Sequence, residues 1–318
     1  MTMELQKIFD ETLRLLVSYG YTVEKISYPE DHDKRSIDIV ASHVERKPLM
    51  LKITDDTSNL KASEISELRD CSNILGAAGL IVANKDNNDE IDDIVAHEKS
   101  GVFVVSPRGL KSTLDNTIYV VKKQGNYYMR VDGGKLRAER EKRGYGLGDV
   151  ASLLGVSRRA VYMYEREEVD VSLQTALRLM DIFSDEIFKP IDILEEEHTS
   201  QSQQRIRRMT SSRLTKLTES IKNLGGEIIE TRRAPSDAVA RINSEKMVIV
   251  LSTYREKVFF KKLVESAKVA SHVNARAIAI LRSISRQMIE DEVDLDKNFD
   301  TYRSIDEFVK EIKLRQRA

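Results

Sequence analysis

The run that most narrows what this chain can become is residues 135–166, KLRAEREKRGYGLGDVASLLGVSRRAVYMYER. Its apolar residues recur at helical spacing, but glycines interrupt them too often for one long helix. Lys135 to Arg143 reads as a charged helix anchored by Leu136, and Gly144 and Gly146 break it. A second helix is expected over about 147–154, with Val150, Ala151 and Leu154 on one face. Gly155 then turns the chain and Val156 plugs the corner. Ser157 is placed to cap a third helix over about 158–165. Val161 and Tyr164 point that helix inward, which leaves Arg158, Arg159 and Tyr162 for the outer face.

Two short helices joined at a tight glycine corner, the second led by a capping serine, match the layout that sets a helix into a DNA major groove. Free N–H groups at the start of the 158–165 helix also suit a phosphate. Residues 135–164 carry seven Lys/Arg against three Asp/Glu, a local excess of four positive charges in a chain of formal net charge −1. Any positive surface is therefore local. Over LRAEREKRG (136–144) and DVASLLGVSRRAVYMYERE (149–167) the chain resembles the Cro/C1 (XRE) type of helix-turn-helix. That resemblance implies a recognition helix at 158–165, with Ser157, Arg158, Arg159 and Tyr162 on DNA and Lys135 beside them. Where such domains often carry a DNA-contacting Gln at the start of the second helix, this chain has Leu147.

The 318 residues call for two or three domains, and 41% hydrophobic with 32% charged residues is ordinary for a globular chain. No apolar run approaches the roughly 20 residues needed to span a bilayer. With no apolar leader at the N-terminus and a single cysteine, Cys71, the expectation is a cytoplasmic protein without a disulfide framework or a membrane partner.

Residues 1–130 read as an α/β domain: a helix to about 18, strands at 21–28, 36–43 and 48–54, a helix at 62–76, and strands at 79–84 and 102–107. This order resembles the restriction-endonuclease-like fold. Active members of that fold hold a divalent metal with an Asp on the second strand and a Glu-x-Lys or Asp-x-Lys on the third. This chain offers Asp38 and Lys52, but Met50 stands where the second carboxylate belongs. Hard cations want oxygen ligands, so the resemblance implies the scaffold with a degenerate centre and no catalysis. Asp38 and Lys52 also fit a buried ion pair.

Residues 131–194 complete the helical domain, with Leu173, Ala176, Leu177, Met180 and Phe183 as the expected inner stripe of its later helix. Residues 195–211 read as a linker. Its basic run continues into the next domain and offers Arg205, Arg207, Arg208, Arg213 and Lys216 as phosphate contacts. Residues 212–318 repeat 1–116 in outline: FDETLRLLVSYGYTVEKI (9–26) pairs with LTKLTESIKNLGGEIIET (214–231), Asp38 with Asp237, and PLMLKIT (48–54) with KMVIVLS (246–252). That alignment sets Val250 opposite Lys52. Duplication of the first domain is the simplest account.

No zinc spacing, phosphate-binding glycine loop or Ser/His/Asp grouping stands out, so no cofactor is expected. Taken whole, the chain resembles an archaeal family of helix-turn-helix transcriptional regulatory proteins with a central Cro/C1-type domain. The resemblance implies a sequence-specific regulator of double-stranded DNA, acting as a homodimer, with the α/β domains for dimerisation or sensing. It names no effector ligand. The alternatives are a nucleic-acid-processing enzyme with a divergent PD-(D/E)xK centre, and a protein-interaction module.

Overall fold

A computed structural model describes residues 2–196, 211–252, 256–281 and 299–316. The chain begins with α1 (Met3–Ser18), β1 (Thr22–Lys25), β2 (Ile39–Ser42), β3 (Leu49–Ile53), α2 (Ala62–Leu75) and β4 (Ala78–Val82). Short strands β5 (Lys85–Asp86) and β6 (Asp89–Glu90) precede β7 (Val95–Lys99), β8 (Val102–Val105), α3 (Pro107–Leu114), β9 (Val120–Lys123) and β10 (Asn126–Val131). Next come α4 (Gly133–Lys142), α5 (Leu147–Leu154), α6 (Arg158–Glu165), β11 (Val171–Ser172), α7 (Leu173–Phe183) and β12 (Phe188–Lys189). The last part holds α8 (Ser212–Asn223), β13 (Glu227–Glu230), β14 (Ala238–Ile242), β15 (Glu245–Leu251), α9 (Glu256–His272), β16 (Arg276–Ile280), β17 (Phe299–Tyr302) and α10 (Ile305–Arg315).

These elements form two compact units. One holds the described residues of 1–81, 100–102 and 197–318; the other holds 82–99 and 103–196. The first unit contains two copies of one α/β module. In each, a capped helix ends in a left-handed glycine: Thr2 caps α1 before Gly20 (φ 81°), and Ser211 caps α8 before Gly225 (φ 75°). Three antiparallel strands follow, β1-β2-β3 in one copy and β13-β14-β15 in the other. A helix then leads to the next strand of each sheet, β4 beside β3 and β16 parallel to β15.

The duplication holds down to single hydrogen bonds. Ile26 donates to the Asp38 carbonyl at 2.9 Å, as Thr231 does to the Asp237 carbonyl at 3.0 Å. The Ile53 N–H donates to Asp38 Oδ2 at 2.9 Å, as the Leu251 N–H does to Asp237 Oδ2 at 2.8 Å. The C-terminal copy buries Ile221, Ala240, Met247, Ile249, Ile278 and Phe308 in one core.

The two copies dock reciprocally. Helix α2 lies on β14, and α9 lies on β2. Glu67 of α2 accepts the N–H groups of Arg232, Arg233 and Ala234 at 3.0, 2.7 and 2.6 Å, and the Ser36 hydroxyl at 3.2 Å. Glu265 of α9 accepts the Ser27 N–H at 2.6 Å from the matching loop of the other copy. The sheet-domain surface that the sequence offered for self-association thus serves, on these faces, to join the two copies within one chain.

In the second unit, β8, β7, β9, β10 and β11 are neighbours in that order, and β12 also pairs with β10. Strand β10 carries Met129 and Val131 into the core of the helical bundle, alongside Leu136, Val150, Leu154, Val161, Ala176, Leu179 and Phe183. The expected stripe of α7 is wrong at one residue. Leu177 is 54% exposed. With Ser172 as cap, the buried face of α7 runs through Thr175, Ala176, Leu179 and Phe183, and Leu177 falls beside it.

Candidate nucleic-acid interface

Each helix of the motif is fixed by a local device. The Gly146 N–H donates to Asp149 at 2.7 Å, which starts α5. Gly155, at φ 68°, ends α5, since a side chain there would be strained. Arg178 of α7 donates to the Leu154 carbonyl at 2.6 Å and satisfies an orphan acceptor of the same helix end. Ser157 accepts the Ala160 N–H at 3.1 Å, which caps α6 as the sequence requires.

Two further contacts aim α6 from behind. Arg140 of α4 is buried and binds Glu165 of α6 through two nitrogens, at 2.5 and 3.1 Å, while also donating to the Tyr145 carbonyl at 2.9 Å. Gly133 lets the start of α4 touch the end of α6: a Cβ there would stand 2.3 Å from the Glu165 carbonyl oxygen. Neither role is readable from charge counting, which scores Arg140 as surface-forming.

The surface charge is consequently narrower than the sequence excess. Arg137 pairs with Glu141 at 2.9 Å, Lys142 with Glu139 at 3.0 Å, and Arg143 lies 3.7 Å from Glu139. Lys135, 59% exposed, has Asp132 at 4.0 Å. Ser157, Arg158, Arg159 and Tyr162 are all exposed on the outer face of α6. Arg166 donates to the Tyr162 hydroxyl at 3.1 Å and lies over its ring, which holds that side chain in place. Among the described residues of this unit, Arg158 and Arg159 are the arginines whose guanidinium groups have neither hydrogen bond nor ion pair; Arg108, Arg130, Arg137, Arg140, Arg143, Arg166 and Arg178 are all engaged. Arg205, Arg207 and Arg208 lie outside the described residues. Arg213 is spent on the carbonyls of Ser252 and Ile280, at 2.8 and 3.2 Å, and Lys216 pairs with Asp306 at 2.6 Å.

The nuclease-like centre is built of opposite chemistry. Asp38 is fully buried, with Lys52 Nζ at 3.1 Å, His32 Nε2 at 3.1 Å and an Arg35 nitrogen at 3.6 Å. Burial alone would raise the Asp38 carboxyl; His32, Lys52 and the Ile53 N–H together hold it below its ordinary range. The residue where a second carboxylate would stand, Met50, is buried and apolar. Among the described residues no group of three or more His, Cys, Asp and Glu side chains could hold a metal ion. Cations already occupy the space around Asp38, so this donor set does not fit magnesium.

The second copy repeats the pattern with a lysine from another element. Lys262, from α9, reaches Asp237 at 2.5 Å, and the Tyr28 ring lies 5.8 Å from its ammonium. Alignment strand by strand sets Val250 opposite Lys52 and misses this replacement. A side chain that reaches in from a helix leaves no trace in strand spacing. His43 and His97 have separate partners: His43 accepts the Glu45 N–H at 3.0 Å, and His97 pairs with Asp86 at 3.0 Å.

The fold and the site thus define a helix-turn-helix protein joined to two nuclease-like modules whose metal carboxylates are missing. Comparison with known proteins agrees. A PD-(D/E)XK superfamily domain model matches residues 5–120, and a helix-turn-helix model matches residues 136–184. A protein of Saccharolobus islandicus named “Putative HTH-type transcriptional regulatory protein” is 30% identical over 95% of this chain and 94% of its own length. Proteins with the same descriptive name from Saccharolobus solfataricus (29% identical, 95% and 94% covered) and Sulfolobus acidocaldarius (30%, 90% and 93%) are similarly related. The chain belongs to this archaeal family of HTH-type transcriptional regulatory proteins, with an N-terminal PD-(D/E)XK-like domain and a central helix-turn-helix. The name these relatives carry is regulatory and not catalytic. No solved structure matches. Among the described residues no helix is long and apolar enough to cross a membrane.

Proposed function

We propose that the chain is a sequence-specific regulator of double-stranded DNA that reads the major groove with α6. The observation that carries this reading is the state of Arg158 and Arg159: exposed, unpaired among the described residues, and on the outer face of a helix that is capped, clamped and sealed from behind. Exposed guanidinium groups held on a rigid element are the groups that bind guanine edges or phosphates bidentately. Tyr162, the N–H groups at the start of α6, and Lys135 act as positioning contacts to the backbone. The chain works as a homodimer on a pseudo-palindromic site, with half-sites separated by about 34 Å or a multiple of it.

The test starts from DNA fragments recovered by genome-wide mapping of bound sites. Purified wild type and Arg158→Ala/Arg159→Ala are titrated on those fragments and on scrambled controls at several salt concentrations. The double variant unfolds like wild type, because both side chains are exposed and neither guanidinium has a hydrogen bond or ion pair among the described residues. It loses about 1–3 kcal/mol of discrimination for each base contact removed. Each lost phosphate contact lowers the salt slope by about one. Equal affinity and equal salt slope for the variant would remove α6 as the reading element. Footprints without a two-fold repeat would remove the dimer.

A further inference from the structure

A cavity of about 930 Å³ opens beside the degenerate centre of the N-terminal copy. That is the size range of small-molecule sites. We propose that it binds an organic anion: one phosphate, sulfonate or carboxylate group carried on an apolar body.

The charges lining the cavity sort by what already satisfies them. Of the carboxylates, Glu30 is held by Lys261 at 2.6 Å and Glu64 by Arg233 at 2.7 Å. Asp31 pairs with Lys34 at 2.9 Å, and Asp55 accepts from the Asp56 N–H and from Asn59 at 2.9 Å each. Asp33 is 90% exposed, with its Oδ1 3.5 Å from His32 Nδ1. Of the cations, Lys52 and Arg35 are committed to Asp38 and to loop carbonyls, which leaves two lysines. Lys61, on the rim, has no ion-pair partner among the described residues, and Lys25 lies over the Phe9 ring at 4.8 Å with no carboxylate partner. The His32 ring is mostly buried and already engaged, with Nε2 3.1 Å from Asp38 Oδ2 and Nδ1 3.5 Å from Asp33 Oδ1. Lys25 and Lys61 thus remain for an anionic head, while Leu5, Phe9, Ile26 and Leu60 supply an apolar wall. A ligand with one anionic head satisfies the first set and covers the second.

The loop between β1 and β2 connects this cavity to the other copy. Arg35 locks the loop by donating to the carbonyls of Ile26, Pro29 and Glu30, at 2.8, 2.5 and 3.0 Å. The inner side of the loop gives His32, whose carbonyl accepts from Lys52 at 2.9 Å. Its outer side gives Ser27 to Glu265, Glu30 to Lys261, and the Tyr28 ring to Lys262 beside Asp237. An occupant that moves the His32 side of the loop is felt at the junction between copies. As an effector site this rests on the regulator reading above; as a binding site it does not.

The probe is 8-anilinonaphthalene-1-sulfonate, an aromatic sulfonate whose fluorescence rises in an apolar site, titrated onto the full chain without DNA. The expected result is one saturable site per chain, about tenfold weaker in Lys61→Glu and in Lys25→Glu. Leu60→Trp, which fills the apolar wall without changing charge, blocks the dye. Thermal unfolding of all three variants confirms that each is folded. Absence of saturable binding in wild type overturns the proposal, as does wild-type affinity in both charge variants. Because the readout uses free protein, failure of DNA reading by α6 leaves this result untouched.

Discussion

Glu67 holds the two α/β copies together, and its removal has a size that can be worked out. Four donors converge on it: the N–H groups of Arg232, Arg233 and Ala234 and the Ser36 hydroxyl. Three of them reach Oε1 and one, Arg232, reaches Oε2. Glu67→Ala strands all four in a buried junction. At about 1–3 kcal/mol per unsatisfied buried donor the sum would be large. Water entering the vacated space satisfies some of them, so a loss of about 3–5 kcal/mol is expected, the range seen when one partner of a buried charged contact is deleted. Glu67→Gln keeps an oxygen where three donors already meet and turns its amide against the Arg232 N–H alone. It also removes a buried charge, so its cost is about 1 kcal/mol. The pH dependence has a definite sign. Burial, opposed by those N–H groups and by Ser36, raises the Glu67 carboxyl above its ordinary 4.5. Its contribution is therefore full below that ordinary value and is lost as pH rises through the folded-state value. The Gln variant lacks this slope. Urea unfolding across pH, with amide exchange at Arg232, Arg233 and Ala234, measures both effects. An Ala variant within about 0.5 kcal/mol of wild type, with unchanged exchange, would refute the role of Glu67.

Other outcomes follow from single contacts. Gly133→Ala drives a Cβ to 2.3 Å from the Glu165 carbonyl oxygen, whereas at Gly134 the nearest atom is 3.5 Å away. Thermal unfolding should show a loss of about 1–3 kcal/mol for the first and near-neutrality for the second. Asp38 contributes stability above the ordinary carboxylate pKa that is lost as pH falls through its depressed folded value. Asp38→Ala should therefore flatten the acid limb of the unfolding profile. Chelation of divalent metal should change neither stability nor DNA affinity, and an EDTA titration of both checks this.

Helix-scale features of the candidate interface are legible because each is written in adjacent residues. Ser157 before an apolar-periodic run fixes the start of α6, and Gly155 fixes the end of α5; α5 and α6 occupy the expected 147–154 and 158–165. What escapes the sequence is set by distant partners. Nothing near Arg140 says that Glu165 will bury it, and nothing near Gly133 says that α6 will press on it. Residues 84–99 are mostly polar, yet they form three short strands, β5 to β7. The clue was the pair Asn87-Asn88, both at positive φ, which tolerates the tight turn of β5 into β6. Leu177 lies off the buried stripe because the period of α7 is anchored by the cap at Ser172, and periodicity alone leaves the phase of a short helix free by one residue.

The two modules explain one another's degeneracy. In a metal-dependent centre the strand-2 Asp needs a second carboxylate and an open position. Here each Asp is neutralised by a lysine, from β3 in one copy and from α9 in the other. The carboxylate is tied in the same way both times, Oδ2 accepting the N–H two residues beyond the strand partner of its own backbone. That bond carries the β2–β3 and β14–β15 pairings past the last ladder pair, a structural duty independent of any metal. Two lysines thus reach one kind of carboxylate from unrelated elements. A carboxylate that accepts a strand N–H gains an ion pair from a lysine beside it, and either element can supply that lysine. Lys262→Met should accordingly destabilise the C-terminal copy as Lys52→Met does the N-terminal one, with Asp237→Asn/Lys262→Met less costly than Lys262→Met alone. Additive losses in that double-mutant cycle, read by urea unfolding, would break the equivalence of the two centres.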